Sequence, residues 1–289
     1  MLSSSRTLIY AHRGAKREAA ENTRSAFDKA LAYSINGIET DIQLTRDGVC
    51  VLWHDDDLKK LGLPDQRIDD FEYAQLQVMN VAALFAGKRA LPNSPEKQPA
   101  NRPIPQEGKL QATPLGGEGV NEVLRAMPYH ESLMTLQDFI ATYRTRCNLL
   151  LEIKRYPGEN EAQQHIKVRQ TLALVGAAAG DAVLASSFDL DSLIYAHKVA
   201  PEFPLVFNLE PEHQADFAQH ALHEQPWLHG LCVHIATLDE EMVGVARERG
   251  KRIAVYTCNS DEQIHRALNL GVDVLISDVP QNALQMRDA

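Results

Sequence analysis

Short apolar runs alternate with segments of helical periodicity along most of this chain, and this alternation limits the fold more than any other feature. Helical patterns such as residues 239–249 and 261–270 separate the runs. The clearest runs are residues 8–11, 149–153, 182–185, 205–207, 231–233, 253–256 and 272–276. Strands that alternate with helices predict a parallel sheet. Together with the run that ends at Glu39 to Asp41, they make eight strands, which favour a closed (β/α)8 TIM barrel over an open sheet.

Size and charge restrict the domain count and the classes of partner. The chain has 289 residues, of which 44% are hydrophobic, so it can bury one large core and is predicted to form a single domain over residues 1–289. The net charge of −10 argues against nucleic acids and anionic membranes as partners, because both are held largely through Lys and Arg. A small anionic substrate stays compatible, because a local cation can override the net charge.

Cysteine usage and the N-terminal residues indicate the compartment. The four cysteines, Cys50, Cys147, Cys232 and Cys258, form no CxxC pair, and three of them lie in or beside apolar runs. We predict reduced core residues rather than zinc ligands. No apolar stretch is long enough to span a bilayer, and the first predicted strand comes too early for a secretory signal. We therefore expect a cytoplasmic protein without a transmembrane segment.

Polar residues with catalytic chemistry stand at the ends of the early apolar runs. The triplet His-Arg-Gly follows the first run at residues 12–14, Glu39 and Asp41 close the second, and His-Asp follows the third at residues 54–55. Side chains at i and i+2 on a strand point to the same side, so the two acids can share a cation. Imidazoles can move protons near neutral pH. The residues at these strand ends are therefore predicted to belong to one site.

These motifs resemble those of the glycerophosphodiester phosphodiesterase family. The matching segments, in the order of that family, are AHRGA at 11–15, ENT at 21–23, IETDIQLTRDG at 38–48, HD at 54–55, LLLEIK at 149–154, SSF at 186–188, VYTCN at 255–259 and GVDVLISDVP at 271–280. Each segment alone is weak evidence, but their ordered combination is highly specific. The resemblance implies a (β/α)8 barrel that hydrolyses a small glycerophosphodiester to an alcohol and glycerol 3-phosphate.

The resemblance also implies which residues bind metal and move protons. Glu39, Asp41 and Glu152 would bind a divalent cation, and their oxygen atoms suit Ca²⁺ or Mg²⁺, with Mn²⁺ as a third candidate. His12 and His54 would be the general acid and base, in an order that the sequence leaves open. Direct attack by water and a cyclic phosphate route both stay open.

Four further residues are predicted to bind the substrate. Arg13 and Lys154 would hold phosphate oxygens, although Lys154 could instead form a structural salt bridge with Glu152. Glu21 would orient Arg13 or a ligand. Tyr256 stands where the family usually has Trp and would contact the alcohol moiety.

Three more strand-end segments receive no catalytic role from the sequence. Ser186 to Phe188 and Asp278 to Pro280 are expected to shape strand-to-helix turns. His234 also ends an apolar run, but a lone histidine after a strand is more often a surface or hydrogen-bonded residue.

One segment interrupts the alternation of strands and helices. Residues 88–127 show little apolar periodicity, and seven of the 14 prolines lie between residues 92 and 128. The family has an insertion after its second strand, so we place one at residues 55–134, with helical pieces near residues 71–85 and a loop over residues 88–127. Such a loop is usually functional or disordered. It could cover the mouth of the barrel, dock on a partner or stay disordered, and we expect it to limit the entry of large substrates.

Other functions fit the sequence less well. The same residues could act on a lysophospholipid as a lysophospholipase D, but no strong amphipathic membrane segment is present. A non-catalytic barrel that only binds a phosphate ester would not need the complete set of acids and histidines. An amidohydrolase would need a His-x-His pair on the first strand, which this chain lacks. The sequence makes no prediction about the oligomeric state.

Overall fold

The computed structural model describes residues 6–82, 130–176 and 182–289. The predicted loop over residues 88–127, with its proposed role in substrate access, lies outside the described residues. In the part of the chain that is described, no helix is both long and apolar enough to cross a membrane.

Eight parallel strands close into a barrel, which confirms the predicted fold. The strands are β1 Leu8–His12, β2 Gly37–Leu44, β3 Cys50–Leu52, β4 Asn148–Ile153, β5 Val183–Ser187, β6 Leu205–Asn208, β7 Gly230–His234, β8 Arg252–Tyr256 and β9 Val274–Ser277. The barrel contains all of these except β3, in the spatial order β1-β2-β4-β5-β6-β7-β8-β9. Pairing of β9 with β1 closes it.

β3 is the exception, because it runs antiparallel to β2. β1 pairs with β2 only as far as Glu39, and β3 takes the side of β2 that β1 leaves free. A parallel crossover needs a dozen or more residues, whereas a short turn at Gly48, with a φ of +82°, joins these two strands. The apolar run that precedes His54 is therefore a hairpin strand and not a barrel strand. It still delivers His54 to the mouth, because the Trp53 amide bonds to the Asp41 carbonyl oxygen at 3.1 Å.

Helices follow the barrel strands and cover the outside of the barrel. They are α1 Arg24–Leu31, α2 Tyr73–Leu76, α3 Leu136–Tyr143, α4 Glu161–Val175, α5 Leu190–Val199, α6 Ala215–Glu224, α7 Glu240–Glu248, α8 Asp261–Asn269 and α9 Pro280–Asp288. Thr23 caps α1 by accepting a hydrogen bond from the Ala26 amide. Of the helical pieces predicted near residues 71–85, the described residues contain only the single turn of α2.

The described part of the connection after β3 forms a small core of its own. Two short 3₁₀ helices, Lys59–Leu61 and Ile68–Asp70, precede α2. Their apolar side chains pack with those of β3 and Leu133 in a cluster separate from the main core. This packing places Lys60 beside the barrel mouth, where it contacts Asp55.

The inside of the barrel is layered, and this layering positions the site. The lower layer is apolar and consists of Tyr10, Leu150, Leu184, Val206, Cys232, Ala254, Val274 and Ile276. Inward-facing residues recur every second position along a strand, so the next residues face the mouth. That upper layer includes His12, Glu152, Ser186, Asn208 and Tyr256, which all line one cavity. The four cysteines are free thiols, as predicted, and burial raises the pKa of Cys50 and Cys147 to about 11.

Candidate active site

A cavity of about 160 Å³ opens at the carboxyl ends of the barrel strands. Its lining combines most of the residues that the sequence predicted with an aromatic wall. The predicted residues in the lining are His12, Arg13, Glu39, His54, Glu152, Lys154 and Tyr256. This end of a TIM barrel is where active sites of that fold lie.

Three carboxylates of β2 and β4 converge beside the cavity. One ligand atom from each of Glu39, Asp41 and Glu152 lies within 4.8 Å of the others. Asp41 and Glu152 are register partners, and Glu39 shares the face of Asp41. Burial, reinforced by the two neighbouring carboxylates, raises the pKa of Glu39 well above its usual value. Neither oxygen of Glu39 accepts a hydrogen bond from the described residues.

Two cations partly neutralise these acids. Arg13 Nε lies 2.9 Å from Asp41 Oδ2, and Lys154 Nζ lies 2.8 Å from Glu152 Oε1. Burial alone would raise the pKa of Asp41, but Arg13, with help from Lys154 and other donors, outweighs it and lowers that pKa. Three carboxylates against two cations leave an excess negative charge around the unpaired oxygens of Glu39. A hard divalent cation fits this set, because its preferred ligands are carboxylate oxygens.

Arg13 reaches Asp41 because the chain turns sharply after β1. Arg13 has a φ of +57°, and Gly14 follows with +82°. A Cβ atom on Gly14 would lie 2.6 Å from the Ala26 carbonyl carbon of α1, so only glycine fits here. Left-handed backbone at a non-glycine residue is uncommon and is often found at functional sites.

His12 is held by an acid from the far end of the chain. Its Nδ1 lies 2.6 Å from Asp278 Oδ1 and donates to it, since a carboxylate can only accept. The other ring nitrogen, Nε2, is therefore an acceptor and lies 3.8 Å from Glu39 Oε2. Burial lowers the pKa of His12 to about 4, although Asp278 opposes this effect. His12 is neutral at pH 7 and can accept a proton.

Asp278 was expected only to shape a turn, but the structure also places it in the site, beside His12. It also accepts a hydrogen bond from Asn259 Nδ2 at 2.9 Å and pairs with Lys16 Nζ at 2.9 Å. Burial alone would raise the pKa of Asp278. The hydrogen bond to His12 and the charge of Lys16 outweigh this effect, so that pKa is lowered. The signal in the sequence was its position directly after the last barrel strand.

His54 has the same arrangement with its own neighbour. Its Nδ1 donates to Asp55 Oδ1 at 2.9 Å, so Nε2 is again the acceptor. Lys60 bridges Asp55 and Glu21 at 2.8 and 2.7 Å. Glu21 in turn lies 3.3 Å from Arg13 Nη1. Glu21 is therefore placed behind Arg13 and Lys60 rather than in the lining of the cavity.

Asn22 is another residue whose position the sequence did not reveal. Its neighbour Thr23 caps α1. Asn22 instead donates to Asp41 Oδ2 at 3.0 Å and accepts from Thr40 Oγ1 at 2.8 Å. It thereby fixes one oxygen of Asp41, while the other oxygen, 3.9 Å from Lys154 Nζ, accepts no hydrogen bond from the residues that the structure describes.

An aromatic wall faces the charged side of the cavity. Phe188 and Tyr256 meet edge to face with their ring centroids 5.6 Å apart. Tyr256 donates its hydroxyl proton to the Leu209 carbonyl oxygen at 2.6 Å, so it presents its ring rather than its hydroxyl. His234 packs against the Tyr256 ring at 5.3 Å and is not part of the lining.

The chain matches the sequence model of the glycerophosphoryl diester phosphodiesterase family over residues 12–282. It belongs to this family. Its relatives include a glycerophosphodiester phosphodiesterase of Bacillus altitudinis, 29% identical over 287 residues that cover 98% of each chain. Another, from Bacillus subtilis (strain 168), is 26% identical and covers 97% of this chain and 86% of its own. Family membership confirms the resemblance seen in the sequence and the expectation of a phosphodiesterase.

Solved structures agree with the fold. A phosphodiesterase of Oleispira antarctica, in complex with the product sn-glycerol-3-phosphate, superposes with a TM-score of 0.74 at 21% identity and covers 98% of each chain. A glycerophosphodiester phosphodiesterase of Parabacteroides distasonis gives a TM-score of 0.71 at 18% identity, again over 98% of each chain. At these identities the likeness shows a shared barrel architecture.

Proposed function

We propose that this family member hydrolyses glycerophosphodiesters to an alcohol and glycerol 3-phosphate, with a divalent cation and a histidine pair. The observation that carries the proposal is the acidic trio Glu39, Asp41 and Glu152, of which the first two are buried, beside two oriented histidines that line one cavity. The cation would bind the trio and polarise a phosphoryl oxygen. A non-catalytic barrel that only binds phosphate esters would not need the unpaired carboxylate of Glu39 at this position.

Arg13 and Lys154 would neutralise the negative charge of the phosphate. Both line the cavity, and each is already fixed by a carboxylate. The planar fork of Arg13 suits two phosphate oxygens, whereas Lys154 acts as a point charge. Binding of the phosphate would share these cations between the substrate and the acids. Substrate and metal are therefore expected to increase each other's affinity.

His12 and His54 would transfer the protons. Both rings donate from Nδ1 to an aspartate, which leaves Nε2 as the acceptor in each. A second pocket, lined also by Asp56, Arg155 and Glu210, continues outward past His54 and does not include His12. We assign the alcohol to that outward side, so His54, once its Nε2 atom has taken up a proton from solvent, protonates the leaving alkoxide, while His12 Nε2 accepts the proton of the attacking hydroxyl.

A panel assay tests this function. Protein stripped of metal by chelation should be inactive on glycerophosphocholine, glycerophosphoethanolamine and glycerophosphoinositol. Ca²⁺, Mg²⁺ or Mn²⁺ should restore activity, with glycerol 3-phosphate as the identified product. Full activity in metal-free protein would refute the cation site. Turnover confined to lysophosphatidylcholine would show that the substrate is a lysophospholipid instead.

A further inference from the structure

Asn208 stands out among the residues of the cavity that the proposed chemistry does not use. It is the last residue of β6, it is only 4% exposed, and its side chain lines the cavity. Its Oδ1 atom accepts no hydrogen bond from any of the described residues. Its Nδ2 atom has a single long contact of 3.4 Å to Ser186 Oγ. A buried amide oxygen without a partner is costly and is rare in folded proteins.

The surroundings of Asn208 show what kind of group would meet this oxygen. Its register partner on β7 is Cys232, which packs with Val206 and Leu150 in the apolar layer of the barrel. The corner around Asn208 is therefore mainly apolar, with its own amide and the Ser186 hydroxyl as polar atoms. Small-molecule sites commonly have this composition, in which a few polar groups fix the orientation of the ligand.

A hydroxyl group suits this corner better than a charged group. The amide oxygen needs a donor, and the neighbouring Ser186 hydroxyl can donate or accept. If the amide is rotated by 180°, Nδ2 faces the cavity instead, and a hydroxyl still pairs with it because hydroxyls both donate and accept. A choline group has no donor to offer. The free hydroxyls of a glycerol group match in either orientation.

The distance to the charged side of the cavity is also suitable. β4, β5 and β6 are neighbours in the barrel, and Glu152 and Ser186 are register partners. Asn208 is thus two strand spacings, about 10 Å, from the strand that carries Glu152. Side chains from both strands point inward and shorten this gap. A glycerol group attached to a phosphate beside Glu152 can extend into the corner.

We propose that Asn208, with Ser186 beside it, binds the terminal hydroxyl of the glycerol moiety and so selects the glycerol half of the substrate. This inference rests on the proposed function, and it assigns the deep side of the cavity to glycerol and the outward side to the variable alcohol. It predicts strict recognition of the glycerol group, with tolerance of the alcohol.

The test compares glycerophosphoethanolamine with its 2-hydroxypropyl analogue, which lacks only the terminal hydroxyl and keeps the hydroxyl next to the phosphate ester. Wild-type kcat/KM should fall about 10- to 100-fold on this change, as expected for one lost hydrogen bond to a buried partner. Asn208→Leu should lower kcat/KM by a similar factor on the natural substrate and show no further fall with the analogue. Asn208→Ser, which is too short to reach the ligand, should behave in the same way.

Two measurements keep the interpretation separate from loss of fold or of activity. Unfolding temperatures check each variant, and titration calorimetry with Mg²⁺ compares glycerol 3-phosphate with 2-hydroxypropyl phosphate, which needs no turnover. Failure of the proposed function would appear as no hydrolysis by the wild type. The inference itself is overturned if the Asn208 variants keep the wild-type preference for the terminal hydroxyl, or if they weaken both ligands equally.

Discussion

Two buried clusters of charge lie near β4, and they differ in how completely they are paired. Outside the barrel, Lys167 is fully buried and lies 2.7 Å from Glu159 Oε1, while Glu159 is 8% exposed. Lys167 Nζ also donates to the Lys154 carbonyl oxygen at 2.7 Å. This outer pair matches one charge with one countercharge. At the mouth, Glu39 has no hydrogen bond to either carboxylate oxygen among the described residues, and the acids outnumber the cations.

The difference separates a cluster that is complete from one that needs a ligand. Buried charges are tolerated when they are paired, and breaking such a pair leaves an uncompensated charge. The outer pair satisfies this condition with protein atoms alone, and it also fixes the backbone of Lys154. The mouth does not satisfy it, which is the physical reason to expect an external cation there. Substitutions in the two clusters should therefore affect different properties.

The sharpest contrast is between Glu39→Gln and Glu159→Gln, which make the same chemical change. Glu39→Gln removes an unpaired carboxylate, so metal affinity should collapse and kcat/KM should fall about 10³-fold, since a bound cation contributes several kcal/mol. The unfolding free energy of the metal-free protein should not decrease. Glu159→Gln leaves Lys167 with only neutral partners, so that free energy should fall while metal affinity stays close to wild type. Calorimetric metal titration and denaturant unfolding measure both effects, and equal loss of stability in the two variants would remove the distinction.

Lys167→Met should produce the largest loss of stability, about 3 to 5 kcal/mol, because it leaves Glu159 buried without its cation. Burial already raises the pKa of Glu159, against the opposing charge of Lys167. Without that charge the pKa should rise further. A carboxyl group whose folded pKa exceeds its usual 4.5 stabilises the fold below that pH and loses this contribution as the pH rises.

The variant should consequently be more destabilised at pH 8 than at pH 5, relative to wild type. Urea unfolding at both pH values measures this difference. The double variant Glu159→Gln with Lys167→Met serves as the control, because it removes the titrating group and should lose the excess pH dependence. A single variant with the same deficit at both pH values would show that removing Lys167 does not raise the pKa of Glu159 further.

Asp278→Asn tests the pair of His12 and Asp278. This pair lies at the mouth but, like the outer pair, finds its partners within the protein. Asp278 accepts from His12 Nδ1, so asparagine weakens the orientation of the ring and its ability to hold a proton. We expect a loss of about 10- to 100-fold, in kcat rather than in KM. Metal affinity should stay within about twofold, unlike that of Glu39→Gln. A matching loss of metal affinity would mean that Asp278 acts through Glu39 and not through His12.

The parts of this site that the sequence predicted follow from local spacing. Glu39 and Asp41 lie two residues apart on one strand, and their convergence needs only the pleat of β2 and the barrel. The direction of β3 follows from the short turn at Gly48, a signal that the apolar pattern alone concealed. Asp278 and Asn208 could not be placed in this way. The first meets His12 across 266 positions, and the second depends on the register of three neighbouring strands.

Tyr256→Phe should have the smallest effect. It tests whether a residue at the mouth can, like the outer pair, contribute to stability rather than to activity. Tyr256 lines the cavity, but its hydroxyl is used by the Leu209 carbonyl oxygen at 2.6 Å. Removing the hydroxyl leaves that carbonyl without this donor, so the unfolding free energy should fall by about 1 kcal/mol. The ring that faces the substrate is retained, so kcat/KM should stay within about threefold. Tyr256→Leu removes the ring as well and should lower kcat/KM further, which distinguishes the wall from the hydrogen bond. The contrary result would be a tenfold fall in kcat/KM without loss of stability. It would show that the hydroxyl breaks its hydrogen bond to Leu209 and contacts the substrate, so that Tyr256, like Glu39, serves to bind a ligand.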